Sequence, residues 1–201
     1  MKTTTKAAIA IAAALALIAP AAAQAHVTVQ PSEVPAGGFT RLDVRVPNEQ
    51  DDAATTKVEV EMPDGFIFAS YEPVPGWTAE VKTEKLDPPV EAHGGSYDTQ
   101  VGSITWTADS DADGIQPGQF QDFGLSVGIP EQYPEGDALT FPAIQTYDNG
   151  DVVRWIGDPD SEEPASQVTL TAPAEDHHAG MSEDEHAEEA TTTDDASGDD
   201  S

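Results

Sequence analysis

Apolar and polar residues alternate one by one along several short segments of the chain. The segment RLDVRV (41–46) places Leu42, Val44 and Val46 on one side and charged residues on the other. The same alternation occurs in KVEVEM (57–62) and in DFGLSVGI (122–129). A period of two is typical of β-strands that bury one face. These segments are predicted to be strands. Their other core-facing residues are Val58, Val60, Met62, Phe123, Leu125, Val127 and Ile129.

Many further short strands are predicted, and turn sequences separate them. The candidates are 26–30, 66–70, 77–83, 101–107, 139–147, 151–156 and 167–171. Between strands lie turn-forming sequences rich in Pro, Gly, Asp and Asn, such as VPAGG, MPDG, YPEGD and DNGD. No helical stripe follows the first 25 residues. The pattern favours an all-β fold, an antiparallel β-sandwich of the immunoglobulin-like or cupredoxin-like kind, with a closed barrel as the alternative.

The first 25 residues have the pattern of a cleaved secretory signal peptide. Lys2 and Lys6 precede an apolar stretch at 7–20, and Ala-Gln-Ala at 23–25 forms a cleavage site. The apolar stretch is too short and too rich in Ala for a membrane span. We therefore expect an exported protein in the periplasm, at the cell surface or outside the cell, with no membrane span in the mature chain.

The composition changes sharply near the C-terminus. Residues 173–201 contain eleven acidic residues, three histidines and no Lys or Arg. Such a segment has too little apolar surface to offset chain entropy, so a disordered acidic tail is predicted after a folded domain at 26–172. His177, His178 and His186 could collect metal loosely, or the tail could serve solubility alone.

Charge and composition exclude several functions. The chain has 8 Lys and Arg against 38 Asp and Glu, for a net charge of −30. This charge disfavours nucleic acid and anionic membranes as partners. The absence of cysteine excludes disulfides, thiol catalysis and thiolate metal sites. The sequence DSDADG (109–114) begins like a calcium loop, but Phe120 stands where the bidentate Glu belongs, so a solvated acidic turn is expected.

Cleavage after Ala25 would make His26 the first residue of the mature protein. A terminal histidine can chelate one metal through its α-amine and its imidazole Nδ1. The amine loses its proton at modest cost near neutrality, because its ordinary pKa is about 8. Two nitrogens in this arrangement favour Cu(II). The alternative is that His26 is merely tolerated after the cleavage site.

Several motifs in order give the chain a specific resemblance. HVTVQPSEVPAGG, RVPNE, TKVEVEMPDG, QTYDNGDVVRWIG and PASQVTL resemble the YcnI-like family of exported copper-binding domains, from His26 to about Leu170. The resemblance implies a β-sandwich whose mature N-terminal histidine binds Cu(II). It also implies a glutamate that completes the site and a tryptophan close by.

Carried over position by position, the resemblance implies three site residues. His26 is the chelating ligand, Glu49 of RVPNE is the carboxylate ligand, and Trp155 of VVRW is the aromatic neighbour, chosen over Trp77 and Trp106. Indole is a poor metal donor. We expect Trp155 to cover the copper, exclude water, or donate its N–H to a ligand oxygen.

The function expected from these features is non-enzymatic holding or delivery of copper, within copper homeostasis. The resemblance implies a copper transporter or copper chaperone of the cell envelope as a partner. One alternative is a copper-dependent oxidase of polymers, which would need an open coordination position. Its usual second histidine lacks support, because His93 lies in a Gly-rich loop. The other alternative is an adhesion or wall-associated module with incidental metal binding.

Overall fold

The computed structural model describes residues 26–92 and 94–173. The predicted signal peptide, His93 and residues 174–201 of the predicted tail, with its three histidines, lie outside these ranges. Within them the chain forms twelve strands and a 3-10 helix at Asp111–Asp113. The strands are β1 (Thr28–Gln30), β2 (Glu33–Pro35), β3 (Phe39–Pro47), β4 (Thr55–Glu61), β5 (Ala69–Tyr71), β6 (Trp77–Ala92), β7 (Gly95–Ala108), β8 (Phe120–Gly128), β9 (Ala138–Phe141), β10 (Ala143–Tyr147), β11 (Val152–Trp155) and β12 (Ser166–Thr171).

These strands form three sheets. The first has the order β1-β3-β8-β5, the second β11-β10-β4-β7-β6, and the third β2-β12-β9. Neighbouring strands are antiparallel, except that β2 runs parallel to β12. The predicted all-β, antiparallel sandwich is confirmed. In the described part of the chain, no helix is long and apolar enough to cross a membrane.

The core is one apolar cluster to which all three sheets contribute. Leu42, Val44 and Val46 of β3 are fully buried, as their alternation predicts. The ring of Trp106 on β7 lies 4.9 Å from that of Phe123 on β8, measured between centroids. Because each large apolar side chain contributes roughly 1.5–3 kcal/mol when buried, these contacts hold the first and second sheets face to face.

The strands differ from the predictions at several places; the strand predicted at 66–70, for example, is observed at Ala69–Tyr71. The segment predicted as one strand at 139–147 is two, because Pro142 has no N–H to continue the ladder. Its halves join different sheets, with β9 against β12 and β10 against β4. β2 is absent from the prediction, and β6 and β7 extend well beyond theirs into a long hairpin. The added part of that hairpin is largely exposed, so its residues lack the apolar alternation that marks a half-buried strand.

Candidate metal site

His26 lies two residues before the start of β1 and packs against a buried tryptophan of the second sheet. Its imidazole ring is 5.3 Å from the ring of Trp155, centroid to centroid, with the planes tilted by 52°. Trp155 ends β11 and is 3% exposed, whereas His26 is half-buried. The segment after His26 is held by the buried Val27 and Val29, and the Val29 N–H donates to Ser166 Oγ at 2.7 Å. The first described residue therefore has a defined place in the fold.

One side of His26 faces an open groove. The groove has a volume of about 310 Å³, and its lining includes His26, Gln30, Pro164 and Ser166. His26 thus packs against the indole of Trp155 and also lines this groove.

The Trp155 N–H already has a partner within the protein. It donates to Oε1 of Gln145 on β10, at 3.1 Å and in a buried environment. Of the three roles expected for this indole, donation to a ligand oxygen would require this bond to Gln145 to break. A buried N–H needs a partner, and the neighbouring strand supplies an amide oxygen. The ring itself remains in contact with His26.

Gln145 connects this tryptophan to the strand that precedes Glu49. Its side chain is fully buried. Besides accepting from Trp155, it donates through Nε2 to the Pro47 carbonyl at 2.9 Å and to Thr55 Oγ1 at 2.7 Å. One amide therefore joins the ends of β3, β4 and β11.

Glu49 presents an exposed side chain on a firmly held backbone. The neighbouring Asn48 is buried and donates through Nδ2 to the carbonyls of Ala53 and Ile115, each at 2.7 Å. Asn48 Oδ1 accepts the N–H of Gln50 at 2.8 Å. The Glu49 carboxylate is consequently accessible to a metal ion from solvent, while the main chain of the segment stays in place.

Tyr147 joins Glu49 to the buried cluster. Burial raises the pKa of the Tyr147 hydroxyl, and the nearby Glu49 carboxylate raises it further. Hydrogen bonds from Thr55 and from the Glu49 backbone act in the opposite direction and lower that pKa. Tyr147 thus lies near Glu49 and is paired across β10 and β4 with Thr55, which is itself bonded to Gln145.

Comparison with known proteins assigns the chain to a family. The model of a domain of unknown function, DUF1775, matches residues 26–175. The chain belongs to the DUF1775 family. This DUF1775 chain is 36% identical over 168 residues to the copper-binding protein CutI of Bacillus subtilis (strain 168), covering 82% of this chain and 73% of that protein. The resemblance to the YcnI-like family is confirmed.

A solved structure supports the fold of this DUF1775 domain. The chain resembles an uncharacterized protein from Nocardia farcinica, described as having an immunoglobulin-like fold, with 38% sequence identity and a TM-score of 0.58. The match covers 73% of this chain and 99% of that one. Among the predicted alternatives, the immunoglobulin-like sandwich is thus the fold of this DUF1775 member.

The three residues expected at the site have different surroundings in the DUF1775 domain. His26 and Trp155 are in contact, and Glu49 is connected to them through Tyr147, Thr55 and Gln145. Trp77 and Trp106 lie instead against Phe123 in the core. Within residues 26–92 and 94–173, no three side chains of the His, Cys, Asp and Glu types group closely enough to hold a metal.

Sequence reasoning missed the buried polar residues Thr55, Gln145 and Tyr147. The signal lies in AIQTY (143–147), where strand alternation puts Gln145 on the same face as Ala143 and Tyr147. Hydrophobicity favours the opposite face, because that face carries Ile144. The structure buries Ala143, Gln145 and Tyr147 and leaves Ile144 half-exposed.

Proposed function

We propose that this protein is exported and binds Cu(II) through His26, as the first residue of the mature chain, with Glu49 as a second side-chain ligand. The observation that carries the proposal is the packing of His26 on Trp155, beside an open groove. The network from Trp155 to the end of β3 gives Glu49 a mechanical connection to the same site. A 36% identical relative that is named a copper-binding protein supports the choice of metal.

The proposed donors suit Cu(II) better than Cu(I). A terminal amine, an imidazole nitrogen and a carboxylate oxygen form the nitrogen and oxygen set that Cu(II) prefers. Cu(I) prefers soft sulfur ligands, yet the chain has no cysteine, and its three methionines, Met1, Met62 and Met181, are widely separated in the sequence, with Met62 buried in the core. The protein would hold copper outside the cytoplasm or deliver it, without turnover, to a copper transporter or chaperone of the cell envelope.

The amine is the most distinctive element of the proposal, and it can be removed without changing any side chain. Protein that begins at His26 should bind one Cu(II), with nitrogen couplings in its electron paramagnetic resonance spectrum. Protein that begins at Ala22 keeps the imidazole but gives residue 26 an amide. It should bind at least about 100-fold more weakly, a loss of about 2.7 kcal/mol.

His26→Ala in the mature chain should weaken binding by at least the same factor. Its fold should be unaffected, because His26 is only half-buried at the start of the domain. Affinities are measured by competition with a chelator of known strength. Equal affinity of the chains beginning at His26 and Ala22, or tighter binding of Cu(I) than Cu(II), would contradict the proposed site.

Export and processing are tested separately. The protein secreted by its native host is purified, and its intact mass and N-terminal sequence are determined. The expected N-terminus is His26, and a mature protein starting at any other residue would contradict the amine ligand.

A further inference from the structure

We propose that Gln145 is a positioning residue. It holds the Trp155 ring against His26, and it fixes the segment that carries Glu49 relative to that ring. This inference rests on the proposed copper site. Gln145 itself is not a proposed ligand, because its side chain is fully buried and its polar atoms are all engaged within the protein.

The geometry of the amide gives it two separate functions. Oε1 accepts from the Trp155 indole at 3.1 Å, and Nε2 donates to the Pro47 carbonyl at 2.9 Å. Gln145 pairs in register with Val153 on β11, so Trp155 is its diagonal neighbour across the two strands. Pro47 belongs to a different sheet and comes two residues before Glu49. One side chain therefore spans the two segments that carry the proposed site.

Only an amide of this length can make both bonds at once. An ionised glutamate accepts but does not donate, and methionine, although similar in size, makes neither bond. A third bond, to Thr55 Oγ1 at 2.7 Å, restricts the rotation of the amide. A shorter or apolar side chain would leave the indole N–H, the Pro47 carbonyl or both without a partner in a buried setting.

Loss of Gln145 should weaken metal binding, because residues that do not touch a metal can still orient the ligands that do. Partners behind the ligands of a metal site typically change its affinity by about 10–100-fold when they are removed. Here, loss of Gln145 frees the Trp155 ring to tilt away from His26 and lets the end of β3 shift relative to β11. Both changes alter the distance that a metal held by His26 must span to reach Glu49.

The test compares Gln145→Met with a matched control, Gln100→Met. Gln100 is also a buried glutamine with two side-chain hydrogen bonds, to the Gly65 N–H and to Asp64. Across the second sheet, Gln145 is aligned with Val58 and Val58 with Trp106. Gln100 lies six residues before Trp106 on β7, a separation of roughly 20 Å along the strand. Both variants remove a buried amide, so a general effect of destabilisation would appear in both.

Two measurements are made on mature protein beginning at His26. Without metal, nuclear magnetic resonance follows the Trp155 indole N–H and the His26 ring protons, which the indole ring current shifts. With copper, chelator competition gives the affinity and electron paramagnetic resonance gives the coordination. Gln145→Met should move both proton signals, weaken Cu(II) binding about 10–100-fold and change the copper spectrum. Gln100→Met should leave all of these at wild-type values.

The outcomes separate this inference from the proposed function. If wild-type protein binds Cu(II) through His26 but folded Gln145→Met has unchanged affinity and spectrum, the positioning function is overturned and the copper site stands. If wild-type binding does not depend on His26, the proposed function fails, and this inference fails with it. The proton shifts without metal would then still report whether Gln145 orients Trp155.

A second variant covers the case in which Gln145→Met does not fold. Gln145→Glu keeps the shape and the acceptor for Trp155. Only the ionised carboxylate is unable to donate to Pro47, and burial favours the protonated form, so the variant is studied above the pKa of the introduced carboxyl. It should keep the indole N–H signal near its wild-type position and still weaken Cu(II) binding. Wild-type affinity in this folded variant would overturn the link between Pro47 and the site.

Discussion

Trp106 and Trp155 belong to the same sheet and are both almost completely buried, yet their surroundings differ in kind. Trp106 packs against Phe123 at 4.9 Å, and its Nε1 has no hydrogen-bond partner among the described residues. Trp155 has its Nε1 bonded to Gln145 and its ring against His26. The comparison teaches that burial alone does not separate a core tryptophan from one beside the candidate site. The polar network behind the ring distinguishes them.

The polar region carries its own structural cost. A buried amide, a threonine hydroxyl and a tyrosine hydroxyl replace apolar side chains that would pack as well, and each must find partners. The region around Phe123, by contrast, consists of apolar contacts, which stabilise the sandwich without needing hydrogen-bond partners. We therefore expect mutations in the two regions to separate stability from copper binding.

The largest effect on stability is expected in the apolar region. Trp106→Ala removes the ring between the two sheets and should lower the free energy of unfolding by about 3–5 kcal/mol. Trp155→Phe leaves the Gln145 acceptor unsatisfied and should cost less, about 1–3 kcal/mol. Denaturant unfolding of both variants measures the difference.

Copper spectra of the same two variants sharpen the comparison. The folded fraction of Trp106→Ala should keep the wild-type Cu(II) spectrum, whereas Trp155→Phe should change it. A spectrum altered equally in both would remove the proposed division between the two regions.

A smaller effect is expected from the proposed carboxylate ligand. Glu49→Gln removes the anionic donor and should weaken Cu(II) binding by about tenfold, or about 1.4 kcal/mol, with little loss of stability because the side chain is exposed. The matched control is Glu80→Gln. Glu80 is also exposed but lies on β6, at the edge of the second sheet opposite β11. Equal weakening in both variants would mean that the overall negative charge, and not Glu49, attracts the metal.

The smallest effect concerns pH and the buried Tyr147. Burial raises the pKa of its hydroxyl above the ordinary value, so the folded protein keeps the proton after the unfolded chain has lost it. The stability from this group is complete below the unfolded pKa of about 10 and is lost as the pH rises through the folded value. Tyr147→Phe should therefore lose less stability than wild type between neutral and strongly alkaline pH, measured by thermal unfolding. If stability falls equally with rising pH in both proteins, groups other than Tyr147 cause the loss of stability at alkaline pH.

Much of the fold could be predicted because its strands bury one face each. Leu42, Val44 and Val46, and likewise Phe123, Leu125 and Val127, occupy the core as the alternation indicates. Prediction failed where that signal is missing or ambiguous. β2 is three residues long, the outer part of the β6–β7 hairpin has little buried surface, and AIQTY carries a glutamine on its inward face.

The candidate site divides in the same way. The order of residues alone determined that His26 stands at the border of the signal pattern and the first strand, and that Glu49 follows the end of β3. It also determined the kinds of donor atom that His26 and Glu49 could offer a metal. Position in the chain and donor type are properties of single residues or short segments. The metal assignments of these residues stay predictions until copper binding is measured.

The family resemblance had already pointed to Trp155 as the neighbour of His26, but only the tertiary structure decided what holds the surroundings together. The bond from Gln145 to Pro47 joins residues 98 positions apart in the chain, and the bond to Thr55 joins residues 90 apart. Such contacts depend on how the sheets stack and on which face of β10 turns inward. Local patterning leaves that choice open, because a strand with Ile144 on one face and Gln145 on the other can satisfy the alternation either way. The sandwich resolves it by giving the amide of Gln145 three partners in the interior.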